Sequence, residues 1–218
     1  MYNVLLLYHN GWQSPVYNIF VYLHVFEYLR SYINRYSAAP LTDQEFEILS
    51  SAFQPRSLRK KQYFLQEGEV CKYMGFIVKG AVRQYSVDDK GVEHIVNLSI
   101  ENWWVGDRES WVMLTPSVYN IDAWEDTDLL VITRADFLGL LDSVPAMHGI
   151  IKSLDEKHAI ATQKRLTASI SFSAEKRYAD LASRYPELLQ RFPQHLIASY
   201  LGITKETLSR VRQRSVKK

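Results

Sequence analysis

Apolar residues recur at helical spacing at both ends of the chain and at alternate positions between them. Residues 41–49 open with Thr42 or Asp43 as a cap, and Glu45 stands three residues after Thr42. Phe46, Leu49 and Phe53 then follow at helical spacing, which predicts a short amphipathic helix. Beyond Pro55 the period shortens. Segments 63–65, 75–78, 81–87 and 92–98 read as strands, the last two joined by the turn Asp88-Asp89-Lys90-Gly91. Segments 103–105 and 129–132 add two apolar runs, and many short strands between turns predict an antiparallel roll or barrel. From Arg134 the helical period returns. Phe137, Leu138, Leu140 and Leu141 predict a short helix ending near Pro145, and the Pro-free stretch 147–170 predicts one long helix. Along it Ile151, Leu154, His158, Ala161, Arg165 and Ala168 keep the 3–4 spacing of a two-helix seam. His158 and Arg165 favour the alternative, a helix packed only on its own domain.

At 218 residues the chain has room for one large domain or two small ones. Its net charge of +2 hides an asymmetry. Residues 173–218 carry ten basic against four acidic side chains, +6, so the rest sums to −4. That is the balance of a basic, polyanion-facing module on a mildly acidic one. A single cysteine, Cys71, excludes an internal disulfide and any zinc or iron–sulfur site built from several thiolates, and it suits a cytoplasmic location. Residues 1–26 lack Lys, Arg, Asp and Glu but are too interrupted for a membrane span, and they lack a signal-peptide pattern. They fit either an amphipathic helix packed on the body or a stretch ahead of the true start.

The most informative segment is 194–213. A helix-turn-helix needs a small residue where its helices cross, a residue tolerant of positive φ at the turn, and apolar inner faces. Ala198 and Gly202 meet the first two needs; Ile197, Leu201, Leu208 and Val211 meet the third. Ile203 bridges the turn and Thr204 caps the second helix. That helix presents Lys205, Glu206, Ser209 and Arg210 on its first turns, where a recognition helix meets base edges. Arg210 suits guanine O6 and N7, and Glu206 suits cytosine N4. Gln194, Thr204, Arg212 and Arg214 are the candidate phosphate contacts, with Lys217 and Lys218 beyond them.

With these residues the chain resembles the Crp/Fnr family of bacterial transcription regulators over roughly residues 41–213. The most specific part is Ile197-Ala198-Ser199-Tyr200-Leu201-Gly202-Ile203-Thr204 followed by Glu206-Thr207-Leu208-Ser209-Arg210. The Glu-x-x-Ser-Arg pattern is similar to that of the fumarate–nitrate branch, where these side chains read the half-site. The resemblance implies an α+β chain of two domains. An antiparallel β-roll of jelly-roll, cyclic-nucleotide-binding-like type (37–146) follows an amino-terminal segment (1–36). A dimerisation helix (147–170) then leads to a winged helix-turn-helix (171–218). Residues 185–193 look more helical than stranded, so the wings are expected to be reduced. The resemblance also implies a homodimer joined through Ile151, Leu154, His158 and Ala161, double-stranded DNA with a palindromic site, and RNA polymerase as a partner.

Family members that bind cyclic nucleotides carry Phe-Gly-Glu and, further on, an Arg-Ser/Thr-Ala triplet. Here Val105-Gly106-Asp107 stands at the first place, so Gly106, Asp107, Arg108 and Ser110 are the candidate effector pocket. At the second stands Ile121-Asp122-Ala123, without the arginine. A buried phosphate facing Asp122 would be strongly penalised, which disfavours cyclic AMP and leaves no cofactor expected. Trp103, Trp104, Trp111 and Trp124 are expected to fill the roll and its hinge, stacking on a planar effector being the alternative. The competing class is a cupin-like metal enzyme, but the six histidines form no His-x-His or His-Glu-x-x-His pair. An effector-binding module without DNA binding is the other alternative. No enzymatic activity and no metal are expected.

Overall fold

The computed structural model describes residues 15–37 and 39–216, with side chains described for 25–37 and 39–214. Most of the charge-free segment, and Lys217 and Lys218, lie outside those residues. The elements run α1 (Pro15–Tyr36), α2 (Asp43–Ala52), β1 (Gln54–Leu58), β2 (Tyr63–Leu65), β3 (Tyr73–Lys79), β4 (Val82–Val87) and β5 (Glu93–Ser99). There follow β6 (Trp104–Val105), α3 (Arg108–Met113), β7 (Asn120–Ala123), β8 (Thr127–Thr133), α4 (Arg134–Ser143) and α5 (Ala146–Ser171). Four more helices complete the order: α6 (Ala174–Arg184), α7 (Pro186–Arg191), α8 (Gln194–Leu201) and α9 (Lys205–Val216).

The strands form two antiparallel four-stranded sheets, ordered β1-β8-β3-β6 and β2-β7-β4-β5. Because side chains alternate across a strand, each sheet can bury both faces. Ile77, Leu129 and Val131 point between the sheets, where they meet Phe64, Val82 and Ile121. Their neighbours Phe76, Leu130 and Ile132 point outward into a second core closed by α1, α2, α4 and the start of α5. On the far side, Tyr85, Ile95 and Leu98 of the other sheet pack against Leu188, Phe192, Leu196, Ile197 and Leu201. The carboxy-terminal module therefore sits directly on the roll.

The capping box on α2 forms as expected, with Thr42 accepting from the Glu45 backbone and Glu45 accepting from that of Thr42. The long helix is also present, one residue longer at each end. Four elements are additions to the sequence reading: β1, β7, α3 and α6. Strand β1 is Gln-Pro-Arg-Ser-Leu with only Leu58 buried, so no alternation marks it, and it is held as an edge strand by backbone pairing to β8. The wings are reduced as expected, to the point of having no strands. After β8 the described residues contain helices only, and the place of the leading wing is taken by α7, started by Pro186.

Candidate nucleic-acid interface

Helices α8 and α9 cross at Ala198, which is fully packed, and Gly202 ends α8 in the left-handed conformation at φ 63°. Its backbone N–H bonds to the carbonyl of Ser199, and that of Ile203 to the carbonyl of Ala198, a turn that a Cβ at position 202 would strain. Thr204 accepts from the Thr207 backbone at 3.2 Å and so caps α9. Ile197, Leu201, Leu208 and Val211 are buried. With the inner face spent on packing, Lys205, Glu206 and Arg210 are left exposed and Ser209 half-buried on the outer face. Arg210 donates to the Thr207 hydroxyl at 3.3 Å, which points the guanidinium along the first turns of α9. Hydrogen bonds from its own backbone N–H and from Thr204 hold the Glu206 carboxyl below the usual carboxylate range, so at neutral pH it is an acceptor only.

Of the four phosphate candidates, Gln194, Thr204 and Arg212 are exposed, while Arg214 is engaged with Glu175 at 3.2 Å.

The module is tied to the roll by polar contacts that sequence reading did not reveal. Strand β5 is the sheet's edge, and its Ile95 N–H donates to the Ser199 hydroxyl of α8 at 2.9 Å. Arg165 of α5 donates to the neighbouring carbonyl of Val96 and lies over the Tyr200 ring, 4.4 Å from its centre. Edge groups that would otherwise template another strand are thus capped from within the chain. Arg191 grips the roll a second time. It binds Glu125 through two nitrogens at 3.1 and 2.5 Å and Glu101 at 2.5 Å. Glu101 also accepts from the Gly80 N–H at 2.8 Å. Burial pushes the Glu101 carboxyl up, but Arg191 and the backbone donors more than offset this and hold it below the usual range. A carboxyl whose folded pKa is depressed contributes stability above its unfolded pKa, near 4.3, and loses it as pH falls through the folded value. The docked arrangement should therefore loosen only below about pH 4.5. Arg191→Gln should loosen it at neutral pH by about 1–2 kcal/mol, the low end for such a cluster because each group keeps a quarter to a third of its exposure. Protease sensitivity of the segment joining α5 to α6, followed against pH in both proteins, checks this.

The cassette residues lie at the other end of the roll. Gly106 backs onto β3, where a Cβ would stand 2.4 Å from the Met74 sulfur, so a side chain has no room at this position. Asp107 is buried and caps α3, accepting from Glu109 N, Ser110 N and the Ser117 hydroxyl, the last at 2.7 Å. Ser110 donates to the Thr115 carbonyl and accepts from Cys71 N. Arg108 points out to Asp155 of α5, one of its two bonds measuring 2.6 Å. These four residues are brought together, but as a self-satisfied turn. Asp122 does not face them: Ile121 and Ala123 point between the sheets, and Asp122 points to the opposite face, where Arg83 binds it at 2.8 Å through two nitrogens. Ser117, which sequence reasoning missed, is the side chain that meets Asp107. Burial pushes the Cys71 thiol up and leaves it a packed hydrophobe.

The four tryptophans at 103, 104, 111 and 124 are packing elements. Trp104 stacks with Tyr32, Phe53 and Phe76, Trp111 with Phe137, Trp103 with Tyr185 and Trp124 with Phe192. Of the seam expected on α5, Ile151 and Leu154 are half-buried against the chain's own core, and His158 and Ala161 are exposed. Among the described residues, no group of three or more His, Cys, Asp or Glu could hold a metal, and no helix is long and apolar enough to cross a membrane.

Two comparisons bear on this arrangement. The family of the cyclic nucleotide-binding domain matches residues 55–144, the strands of the roll together with α3 and α4. Among solved structures the chain is similar to the catabolite activator protein of Thermus thermophilus, at 22% identity and a TM-score of 0.52, covering 81% of this chain and 84% of that one. FixK2 of Bradyrhizobium japonicum is 19% identical, with a TM-score of 0.62, covering 74% and 83%. The chain has the two-domain fold of the Crp/Fnr-type regulators. The c-di-GMP-responsive global regulator CLP of Xanthomonas campestris shares this Crp/Fnr-type fold at 14% identity and a TM-score of 0.62, covering 81% and 92%. No curated protein sequence matches the chain.

Proposed function

We propose that this chain is a sequence-specific DNA-binding transcription regulator that works as a homodimer in the bacterial cytoplasm, with RNA polymerase as its partner, and is not an enzyme. The observation that carries the reading is α9. Its inner face is locked into the module, while Lys205, Glu206, Ser209 and Arg210 stand outward over its first turns. The likeness in fold to activator proteins supports it. In a dimer, two such helices enter successive major grooves about one helical turn apart, so the preferred site is a palindrome. Gln194, Thr204 and Arg212 then position the module on phosphates.

The domains follow the same reading: a roll over 37–146, a dimerisation helix over 147–170 and a reading module over 171–218. An effector at Gly106, Asp107, Arg108 and Ser110 has to displace bonds these residues already make. No cation in that stretch is free for a cyclic phosphate, because Arg108 is spent on Asp155. Cyclic AMP is therefore disfavoured.

Selection of bound duplexes from a random pool tests the reading. A palindromic consensus is expected, and recovery without one would sink it. Arg210→Ala should cost about 1–3 kcal/mol on that consensus and relax the choice of base at one position per half-site.

A further inference from the structure

Three arginines lie between Ala174 and Leu201, and two of them are ion-paired: Arg184 with Asp180 at 2.8 Å, and Arg191 with Glu101 and Glu125. The third, Arg177 of α6, is different. Its side chain is half-buried, and its Nε is shut off from solvent without an acceptor. Among the described residues it has no carboxylate partner: Glu175, two positions before it, is engaged with Arg214, and Asp180 with Arg184. A guanidinium drawn partly out of water is normally repaid by hydrogen bonds or an opposite charge. Among the described residues nothing supplies either, which points to an anion that arrives from outside.

The position of the side chain indicates which anion. Its Nη1 lies against the turn between α8 and α9, 3.6 Å from where a Cβ on the exposed Gly202 would stand. Two residues further on, Thr204 caps α9. When the first turns of α9 enter a major groove, the rim beside that turn runs along the sugar–phosphate backbone. A guanidinium fork matches phosphate oxygens with two parallel hydrogen bonds.

We propose that Arg177 is a DNA-phosphate contact, reaching from α6 past the Gly202 turn to the backbone flanking each half-site. It rests on the DNA-reading function argued above and adds to it a contact that fixes register without reading sequence. It also shifts weight away from Arg214, whose charge is shared with Glu175.

The test measures binding of the full-length protein to fluorescent duplexes, one carrying the selected palindrome and one unrelated, over a range of potassium chloride concentrations. Arg177→Gln is expected to weaken binding to both duplexes by a similar factor. It should also flatten the dependence of log affinity on log salt by about 0.9 per half-site, roughly 1.8 for a dimer. Arg177→Lys should keep most of that slope. A thermal melt of each protein reports the structural alternative. If Arg177→Gln loses affinity and melts lower while its salt slope stays at the wild-type value, Arg177 braces the turn and the proposal is overturned. It is equally overturned if the variant binds as the wild type does. A wild-type protein that binds neither duplex overturns the DNA-reading function itself, an outcome visible before any variant is made.

Discussion

A protein carrying glutamate at both Leu166 and Ile170 is expected to sediment as a monomer and to bind the palindromic duplex roughly 10²–10⁴-fold more weakly than the parent. The argument starts from how α5 is held. Its first two turns are anchored in the chain's own core: Met147 and Ile150 are buried there, and Ile151 and Leu154 pack against it. Lys157 adds a cation–π contact to Tyr36 of α1, 3.8 Å from the ring centre. From 156 to 167 every residue is exposed, yet the helix continues to Ser171. Ile160, Leu166 and Ile170 are 51, 59 and 77% exposed. Isolated helices of this length gain little from propensity alone and are held mainly by an apolar face against a partner. In the proposed homodimer a second copy of the same helix across a two-fold axis would supply that partner. In the proposed dimer the pairing face would then turn from Ile151 and Leu154, which the chain covers itself, toward Leu166 and Ile170, one turn apart on the helix. Because both substituted side chains are exposed in the single chain, the double variant should keep its fold. Loss of affinity then reports the loss of a second half-site contact, since each recognition helix would have to bind without its twin. A variant that remains dimeric would place the seam elsewhere.

What was legible in the sequence was local. The capping box, the alternating strands and the helix-turn-helix rest on residues within a few positions of one another, and their spacing carries the geometry. The residues that meet at long range were not legible. Arg191 counted as one of ten basic residues in a DNA-facing tail, yet its partners Glu101 and Glu125 lie 90 and 66 residues away and turn it inward. Asp122 read as a charge opposing a cyclic phosphate, but the strand parity of β7 turns it to the other side of the sheet, onto Arg83. Of the tail's basic residues, Arg184 and Arg214 pair with Asp180 and Glu175, acids the +6 already includes, whereas Arg191 pairs with Glu101 and Glu125 of the roll, so its charge is the one the count overstates for a polyanion. The signal that could have been used was the acid content of the roll itself. A −4 body beside a +6 module favours attraction between the two as well as attraction to DNA.

The second large effect is expected at Gly80, in the turn after β3. Gly80→Ala should destabilise the roll by about 3–5 kcal/mol, seen as a fall of roughly 10 °C in its thermal midpoint. The residue sits at φ +103°, a conformation that side chains rarely adopt. A Cβ there would also stand 2.4 Å from the Thr127 hydroxyl, 2.6 Å from the Thr127 Cα and 2.7 Å from the Asp126 carbonyl. Two of those three atoms are backbone, so no rotamer change relieves the overlap. Gly91 is the control. It too has positive φ, +77°, but nothing lies within 4 Å of the position a Cβ would take. Gly91→Ala should therefore cost only the conformational penalty, about 1–2 kcal/mol. The difference between the two variants isolates the steric part. Gly80 also donates its N–H to Glu101, the carboxylate that holds Arg191. Displacing that backbone should release the carboxy-terminal module along with the turn, so Gly80→Ala should raise protease sensitivity between α5 and α6 and Gly91→Ala should not. Equal sensitivity in the two variants would mean that Glu101 does not depend on the Gly80 turn for its grip on Arg191.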